Sequence, residues 1–364
     1  MFNRITFIIG SLSGGGSEGV CVNVANGLAS RGWNVNLVCM NLNRKEHLDK
    51  ISEKVNLINL NISRFTFSFV PIMQYLKRNN IEHVVCFHYF FASQLVLQRF
   101  LLNNQFMIIA RNNTSLLQDA KYYFSSHILN KLIFTIVKIL YHKVDYSIAQ
   151  CQEMKLDLVN NFNFESSRVK VILNPVNFKI ENSFEGSVCL KEEFILSVGR
   201  LSREKRHDIA IKVFARVKKK FPHLKLKIAG QGREENFLKQ VAREYEVEES
   251  VEFLGFQKNL ISLYKKAKLT LMTSSYEGFP NALIESITLG TPVVSFDCPT
   301  GPSEIVKDGI NGFLVDNDEK QLEKKITEAL NIDWDIQKVH DTALSHKHEK
   351  IINEYEKFFT QLVN

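Results

Sequence analysis

The nonapeptide EGFPNALIE, Glu277 to Glu285, sets two carboxylates eight residues apart around Gly278 and Pro280. Pro280 suits the first turn of a helix, and Ser274 and Ser275 precede the loop, which predicts a helix start near Phe279 to Asn281. Glu277 then lies in the loop, and Glu285 about one turn inside the helix. Carboxylates divided in this way do not face one bond as a hydrolase pair does. They are placed to hold two different parts of one extended polar ligand.

A second motif, SVGRLSREKRHD, puts Arg200 and Lys205 directly after an apolar run that reads as a strand. Two cations five residues apart on a loop and early helix can converge on a diphosphate, the arginine as a fork and the lysine as a point charge. Gly199 allows close approach, and the place after a central strand sets the pair apart from an ordinary solvated one. In VEFLGF, the exposed main chain at Gly255 and the ring of Phe256 could read the edge and face of a nucleobase; the plain alternative is a core aromatic. Near the N-terminus Gly14, Gly16 and Gly19 spell GxGxxG, yet the second strand ends in VCMN without the acid that a nicotinamide dinucleotide site uses for its ribose. What remains is that Gly15 and Gly16 let backbone N–H groups approach an anion at a helix N-terminus, or simply form a tight turn.

Two DxD spellings, Asp316 to Asp318 and Asp333 to Asp335, adjoin charged helices, where solvated caps and turns are the expected outcome. Ten histidines show no HxxxH or HExxH spacing and six cysteines no CxxC, so no metal is assigned. The cysteines read as reduced, buried thiols of a cytoplasmic protein.

The elements that must position these residues alternate along the chain. Strand-like runs fall at residues 5–10, 34–40, 83–88, 105–110, 145–150 and 169–175, and again at 194–201, 225–232, 251–256, 269–275, 292–298 and 312–316, with helix-length amphipathic segments between them. One such helix follows Gly16 and stops at Gly32. This rhythm predicts an α/β protein of two Rossmann-like, doubly wound domains, 1–180 and 181–345, joined through a polar stretch, Asn174 to Glu193. A last helix, 346–364, carries Ile351, Ile352, Tyr355, Phe358, Phe359 and Leu362 on one face and is expected to pack back toward the first domain. Ligands of such sheets lie beyond the carboxyl ends of the strands, and a cleft between the domains is the expected place.

Residues 1–180 hold 19 Lys and Arg against 10 Asp and Glu, while the remainder of the chain is close to neutral. Within Lys121 to Lys143, aromatic and aliphatic residues interleave with Lys131, Lys138 and Lys143, as in a helix lying on an anionic membrane surface; a core-facing helix with a basic edge is the alternative. No nucleic-acid-binding motif accompanies these charges. The first apolar run reads as a strand and no small-residue cleavage site follows it. Nor does any window reach the roughly 18 to 20 apolar residues of a membrane span.

Taken together, GGGSEG, VGRLSREKRHD, IAGQGREE, VEFLGF, EGFPNALIE and GPSEIVKDGINGFLV, in this order over nearly the whole chain, resemble the group-1, family 4 retaining glycosyltransferases. The resemblance implies the GT-B fold of two facing Rossmann-like domains. It further implies transfer of a hexose or N-acetylhexosamine from a UDP-sugar, without metal or other cofactor, to a polyprenyl-diphosphate-linked saccharide at the cytoplasmic face of the membrane. The flavour is similar to bacterial enzymes that extend O-antigen, capsule or glycoprotein saccharides, N-acetylgalactosamine transferases in particular. On this resemblance Arg200 and Lys205 bind the donor diphosphate, Glu277 contacts the donor sugar and Glu285 accepts hydrogen bonds from the ribose hydroxyls. Main-chain groups of Phe279, Pro280, Asn281, Ala282 and Leu283 meet sugar and phosphates, Phe256 flanks the base, and Gly15 and Gly16 approach the donor from the other domain. Where many relatives carry a histidine after the fourth strand of the first domain, this chain has Arg111 and Asn112, so these two or His88 are the acceptor-side candidates. A GDP-mannose-using transferase, a nucleotide-sugar epimerase on the same fold and a non-catalytic nucleotide-sugar-binding module are the competing readings.

Overall fold

The computed structural model describes residues 3–43, 46–103, 105–123, 128–186 and 190–363. The chain divides into two compact units, Met1–Pro175 with Glu349–Asn364, and Val176–His348.

The first unit is built on seven parallel strands: β1 (Arg4–Ile9), β2 (Asn34–Cys39), β3 (Val55–Asn59), β4 (His83–Cys86), β5 (Met107–Arg111), β6 (Tyr146–Ala149) and β7 (Val169–Val171). Their order in the sheet is β3-β2-β1-β4-β5-β6-β7, the doubly wound arrangement in which the winding reverses between β1 and β4. Helices cover both faces, so the central strands are apolar almost throughout; five of the six residues of β1 and of β2 are buried. Two buried polar residues of these strands are paired in a chain: Asn56 donates to Asn36 at 2.9 Å and Asn36 to Thr6 at 3.3 Å. These three face one another across β3, β2 and β1, which pins the register of that half of the sheet. Strand β3 is missing from the reading of the sequence. Its five residues, VNLIN, lie at the sheet edge with a single partner strand, and only Val55 is buried, so no apolar run announces it.

The second unit repeats the plan with β8 (Phe194–Val198), β9 (Lys225–Ala229), β10 (Val251–Gly255), β11 (Leu269–Met272), β12 (Val293–Phe296) and β13 (Gly312–Val315), in the order β10-β9-β8-β11-β12-β13. The winding reverses between β8 and β11, and the loops leaving these two strands therefore diverge over the carboxyl edge of the sheet. The stretch expected as linker carries a short helix, Phe178–Glu181, with Ile180 buried, and Val176 onward belongs to the second unit. Cys21, Cys39, Cys86, Cys151 and Cys298 are free and buried, whereas Cys189 lies outside the described residues.

The C-terminal helix, His348–Val363, returns to the first unit and lays Ile351, Ile352, Tyr355, Phe358 and Phe359 into its core. Burial of each such side chain contributes about 1.5–3 kcal/mol relative to exposure. Its seat is the helix Gly16–Ser30, at Gly27, where a Cβ would stand only 2.7 Å from two carbons of Ile352. Trp33 packs edge-on against Phe359 at 6.1 Å and donates to Glu356, which also pairs with Arg31 at 2.8 Å. Replacing Gly27 by valine is expected to lower stability by about 1–3 kcal/mol through overpacking. The measurement is the urea midpoint together with a red shift in the emission of Trp33; an unchanged midpoint overturns this account of the helix seat.

Candidate functional site

The loop after β8 carries Arg200 and Lys205, the latter on a single 3-10 turn, Arg203–Lys205, that ends with Arg206 in the left-handed region at φ 49°. The turn is tied to the segment after β11. Thr273 donates its hydroxyl to the carbonyls of Lys205 (3.2 Å) and Arg206 (2.8 Å), and the Ser275 N–H donates to the carbonyl of Glu204 at 2.8 Å. Behind it, Gly230 adopts φ 153° and lies so close that a Cβ would fall 1.8 Å from the carbonyl oxygen of Gly199. No other residue fits there, which gives the IAGQG motif a role in shaping the loop that the sequence alone does not reveal.

Lys205 and Glu277 meet directly. The ammonium lies 2.6 and 2.8 Å from the two carboxylate oxygens, and Glu277 is only 8% exposed. Ser274 donates to the same carboxylate at 2.6 Å, the Glu277 N–H donates to the carbonyl of Pro299 at 3.1 Å, and the Thr300 hydroxyl donates to the carbonyl of Glu277. A buried ion pair of this kind persists because its remaining polar atoms also find partners. Arg200 is the opposite case: its side chain is 74% exposed, and Glu204 stands 3.9 Å away, too far and too wet to hold it. One cation of the expected pair is thus fixed and the other is open to a ligand.

Beneath the loop lies His207, which the sequence reading passed over. It is buried, and its Nδ1 is 3.1 Å from the Ser197 hydroxyl. Burial, and next the nearby Lys205 charge, push its pKa down to about 4, so it adds no positive charge to the loop at neutral pH. Cys298, also buried, is held as a thiol by burial and by the neighbouring Glu277 charge.

The predicted helix start becomes the helix Asn281–Thr288, with Pro280 as its N-cap. Phe279, Pro280 and Leu283 are buried and Asn281 and Ala282 half-buried, so the ring of Phe279, packed 5.6 Å from that of His346, is turned inward. Glu285, half-buried, accepts a hydrogen bond from the hydroxyl of Tyr264 at 3.1 Å. Phe256 follows Gly255, whose φ of 65° breaks the register of β10, and it stays half-buried. The second acid of each DxD is a helix cap: Asp318 accepts from the N–H groups of Lys320 and Gln321, and Asp335 from those of Gln337 and Lys338. Among the described residues no group of three or more His, Cys, Asp or Glu could hold a metal ion.

In the first unit Gly15 is the N-cap of the helix Gly16–Ser30, without a side-chain cap. The carboxylate of Glu18 occupies the space beside Gly15 and accepts from Ser13 at 2.8 Å, while His47 lies 3.2 Å from the Gly15 carbonyl. Arg111 and Asn112, expected on the acceptor side, are closed off. The Arg111 side chain has no accessible surface: its Nε donates to the Tyr355 hydroxyl at 2.9 Å, its terminal nitrogens to Asn174 (2.5 Å) and Asn113 (3.3 Å), and its guanidinium lies 5.1 Å from the centre of the Phe87 ring. Asn112 is 1% exposed and accepts from the hydroxyl of Tyr141. His88 is half-buried, its Nδ1 accepting from the Phe90 N–H at 3.3 Å, and its apolar surroundings push its pKa down to about 4. It is a neutral group at the carboxyl end of β4.

His207 makes stability depend on pH with a defined sign. Unfolded, it takes a proton near pH 6.5; folded, it stays neutral to about pH 4, so between these values the unfolded chain binds more protons and stability falls as the pH falls. The full effect is on the order of 3 kcal/mol at pH 4. The difference in urea-unfolding free energy between the natural chain and His207→Asn should therefore shift steadily from pH 6.5 to 4, and parallel pH profiles would contradict the assignment.

Two family models cover the chain, "Glycosyltransferase Family 4" over residues 14–179 and "Glycosyl transferases group 1" over residues 179–346. A Campylobacter jejuni N-acetylgalactosamine-N,N'-diacetylbacillosaminyl-diphospho-undecaprenol 4-alpha-N-acetylgalactosaminyltransferase is 28% identical over 330 residues, 86% of each chain. Among solved structures, the lipopolysaccharide outer core galactosyltransferase WaaB in its apo form superposes with a TM-score of 0.74 at 22% identity, covering 98% of this chain and 99% of that one. Anabaena HepE in complex with UDP and glucose superposes with a TM-score of 0.79 at 16% identity over 98% and 99% of the two chains.

Proposed function

The chain belongs to the glycosyltransferases of group 1 and family 4, with the GT-B fold, and from that membership we propose a retaining transfer of a hexose or N-acetylhexosamine from a UDP-sugar to a polyprenyl-diphosphate-linked saccharide, without a metal. The observation that carries the reading is the Lys205–Glu277 pair beside the exposed Arg200, at the carboxyl edge where the winding of the second sheet reverses. The relative from Campylobacter jejuni acts, by its name, on a diphospho-undecaprenol saccharide, and HepE holds UDP and glucose. Both support the choice of donor and acceptor classes.

The chemistry follows from where charge develops. As the bond from the anomeric carbon to the donor phosphate breaks, the sugar gains positive charge and the departing diphosphate gains negative charge. Arg200 takes the phosphate oxygens as a fork, and Lys205, already held in place by Glu277, supplies a second charge that need not be reoriented at the moment of reaction. Glu277 keeps acceptor capacity for a sugar hydroxyl, and Glu285 accepts from the ribose. Fixed cations on the leaving group thus lower the barrier that water alone would leave high.

The test is a panel of UDP- and GDP-sugars against lipid-linked acceptors, read by mass spectrometry, with and without acceptor. Acceptor-dependent transfer of a hexose or N-acetylhexosamine from UDP is expected, falling about 10²–10³-fold in kcat for Lys205→Ala. No turnover of any donor sinks the proposal, and conversion of a UDP-sugar without acceptor points to an epimerase.

A lipid-linked acceptor places the enzyme at a membrane surface. No helix among the described residues is long and apolar enough to cross a membrane. The segment Lys121 to Lys143 is two helices, Leu116–Tyr123 and Ile128–Tyr141, with residues 124–127 outside the description. On the second, Leu132, Ile133, Ile136 and Ile139 are 37% to 56% exposed beside the exposed Lys131 and Lys138. The sequence has no acid between Asp119 and Asp145. We therefore assign this helix to the surface of anionic lipid, its aliphatic side chains in the headgroup boundary and its lysines at the phosphates. Co-sedimentation with phosphatidylglycerol vesicles is expected to weaken with salt and in Lys131→Glu/Lys138→Glu, and retention of full binding by that variant overturns the assignment.

A further inference from the structure

Tyr264 sits on the short helix Ile261–Lys266, packed against the helix Asn281–Thr288. Its side chain has no accessible surface, and its main-chain carbonyl accepts from the Thr291 hydroxyl at 2.6 Å, so the residue is fixed from two directions. A ring in such a place needs only to be apolar, and phenylalanine would fill it. A phenol buried this deeply must find a partner for its O–H, and the partner is a carboxylate on the neighbouring helix, Glu285 Oε2 at 3.1 Å. Burial and the Glu285 charge both hold the phenol protonated, so it stays a donor at any physiological pH.

We propose that Tyr264 is a positioning residue for Glu285: its hydroxyl holds one carboxylate oxygen, and so sets how strongly the site demands the ribose hydroxyls of a nucleotide donor. The inference rests on the assignment of Glu285 to the ribose. Glutamate has three side-chain torsions, and at a half-buried position nothing in its own chemistry selects one of them. A donor planted in the core does select one. A carboxylate offers about four acceptor sites; the phenol takes one of them and so fixes the direction in which the carboxylate faces a ligand. Two neighbouring hydroxyls match such an acceptor, whereas a sugar lacking them leaves it unmatched.

The discriminating quantity is the ratio of dissociation constants for 2′,3′-dideoxyuridine diphosphate and UDP, measured by titration on the full chain. The natural chain is expected to favour UDP. Tyr264→Phe, which keeps the ring, should weaken UDP about tenfold and leave the dideoxy analogue within about twofold, so that the ratio falls about tenfold. Turnover at saturating donor should stay within about threefold, with the loss appearing in KM. Glu285→Gln should lower the same ratio, and adding Tyr264→Phe to it should lower it no further, because both act through one contact. A lowered ratio in Glu285→Gln with an unchanged ratio in Tyr264→Phe overturns the positioning role while sparing the ribose assignment. An unchanged ratio in Glu285→Gln removes that assignment and the proposal with it. If the phenylalanine variant does not fold, Tyr264→Met fills the space without a donor and is read in the same way.

Discussion

The pairing of Lys205 with Glu277 is the constraint on which the second unit's site depends. It joins the loop after β8 to the loop after β11, the two strands between which the winding reverses. Either charge left alone at this depth would carry a large desolvation cost, so the two loops fold as one object. The hydrogen bonds from Thr273, Ser274, Ser275 and Thr300 have the same consequence, since each ties one loop to the other or closes Glu277 into place. A lysine on a flexible four-carbon stem would otherwise sample many positions. Here it has one, and the arginine five residues before it is left exposed to meet whatever enters.

A comparable centre organises the first unit. Arg111 ends β5 and, without an accessible atom, holds Asn174 and Tyr355. Asn174 stands one residue before the chain leaves this unit at Pro175, and Tyr355 lies on the helix by which it returns. One buried cation thus fixes both the departing and the returning segment to the same sheet. The ring face of Phe87 and three neutral acceptors offset the loss of water around the guanidinium.

How much of this the sequence disclosed follows from how local each feature is. The strands of both sheets were legible because buried parallel strands are continuous apolar runs; β3 was not, because an edge strand with one neighbour needs no such run. Arg200, Lys205 and Glu277 were legible as polar residues in loops that follow strands, and Glu285 as an acid about one turn inside the next helix. Their partners were not: Lys205 and Glu277 are 72 residues apart, and Tyr264 and Glu285 are 21 apart. Arg111 failed for the same reason in the other direction. Its place after a strand reads as a site, and only the helix brought back from 244 residues downstream turns it into an anchor. Asp318 and Asp335 were legible as caps because a helix cap is decided within three residues.

The two glutamates of EGFPNALIE now separate on physical grounds. Glu277 is nearly closed from water and neutralised by a lysine, so what it can add to a ligand is a hydrogen bond set in a rigid frame. Glu285 is half-buried and accepts from a phenol, so its direction is set by a donor in the core. Each is held by a different anchor, one in the turn after β8 and one on the helix Ile261–Lys266, and the loop from Glu277 to Pro280 with the first turn of the helix Asn281–Thr288 sets the interval between them. Shifting one anchor leaves the other in place. On the proposed roles of the two acids, the distance at which a ligand is gripped is therefore a property of this segment, while the strength of each grip is a property of its own anchor, and the two can change independently.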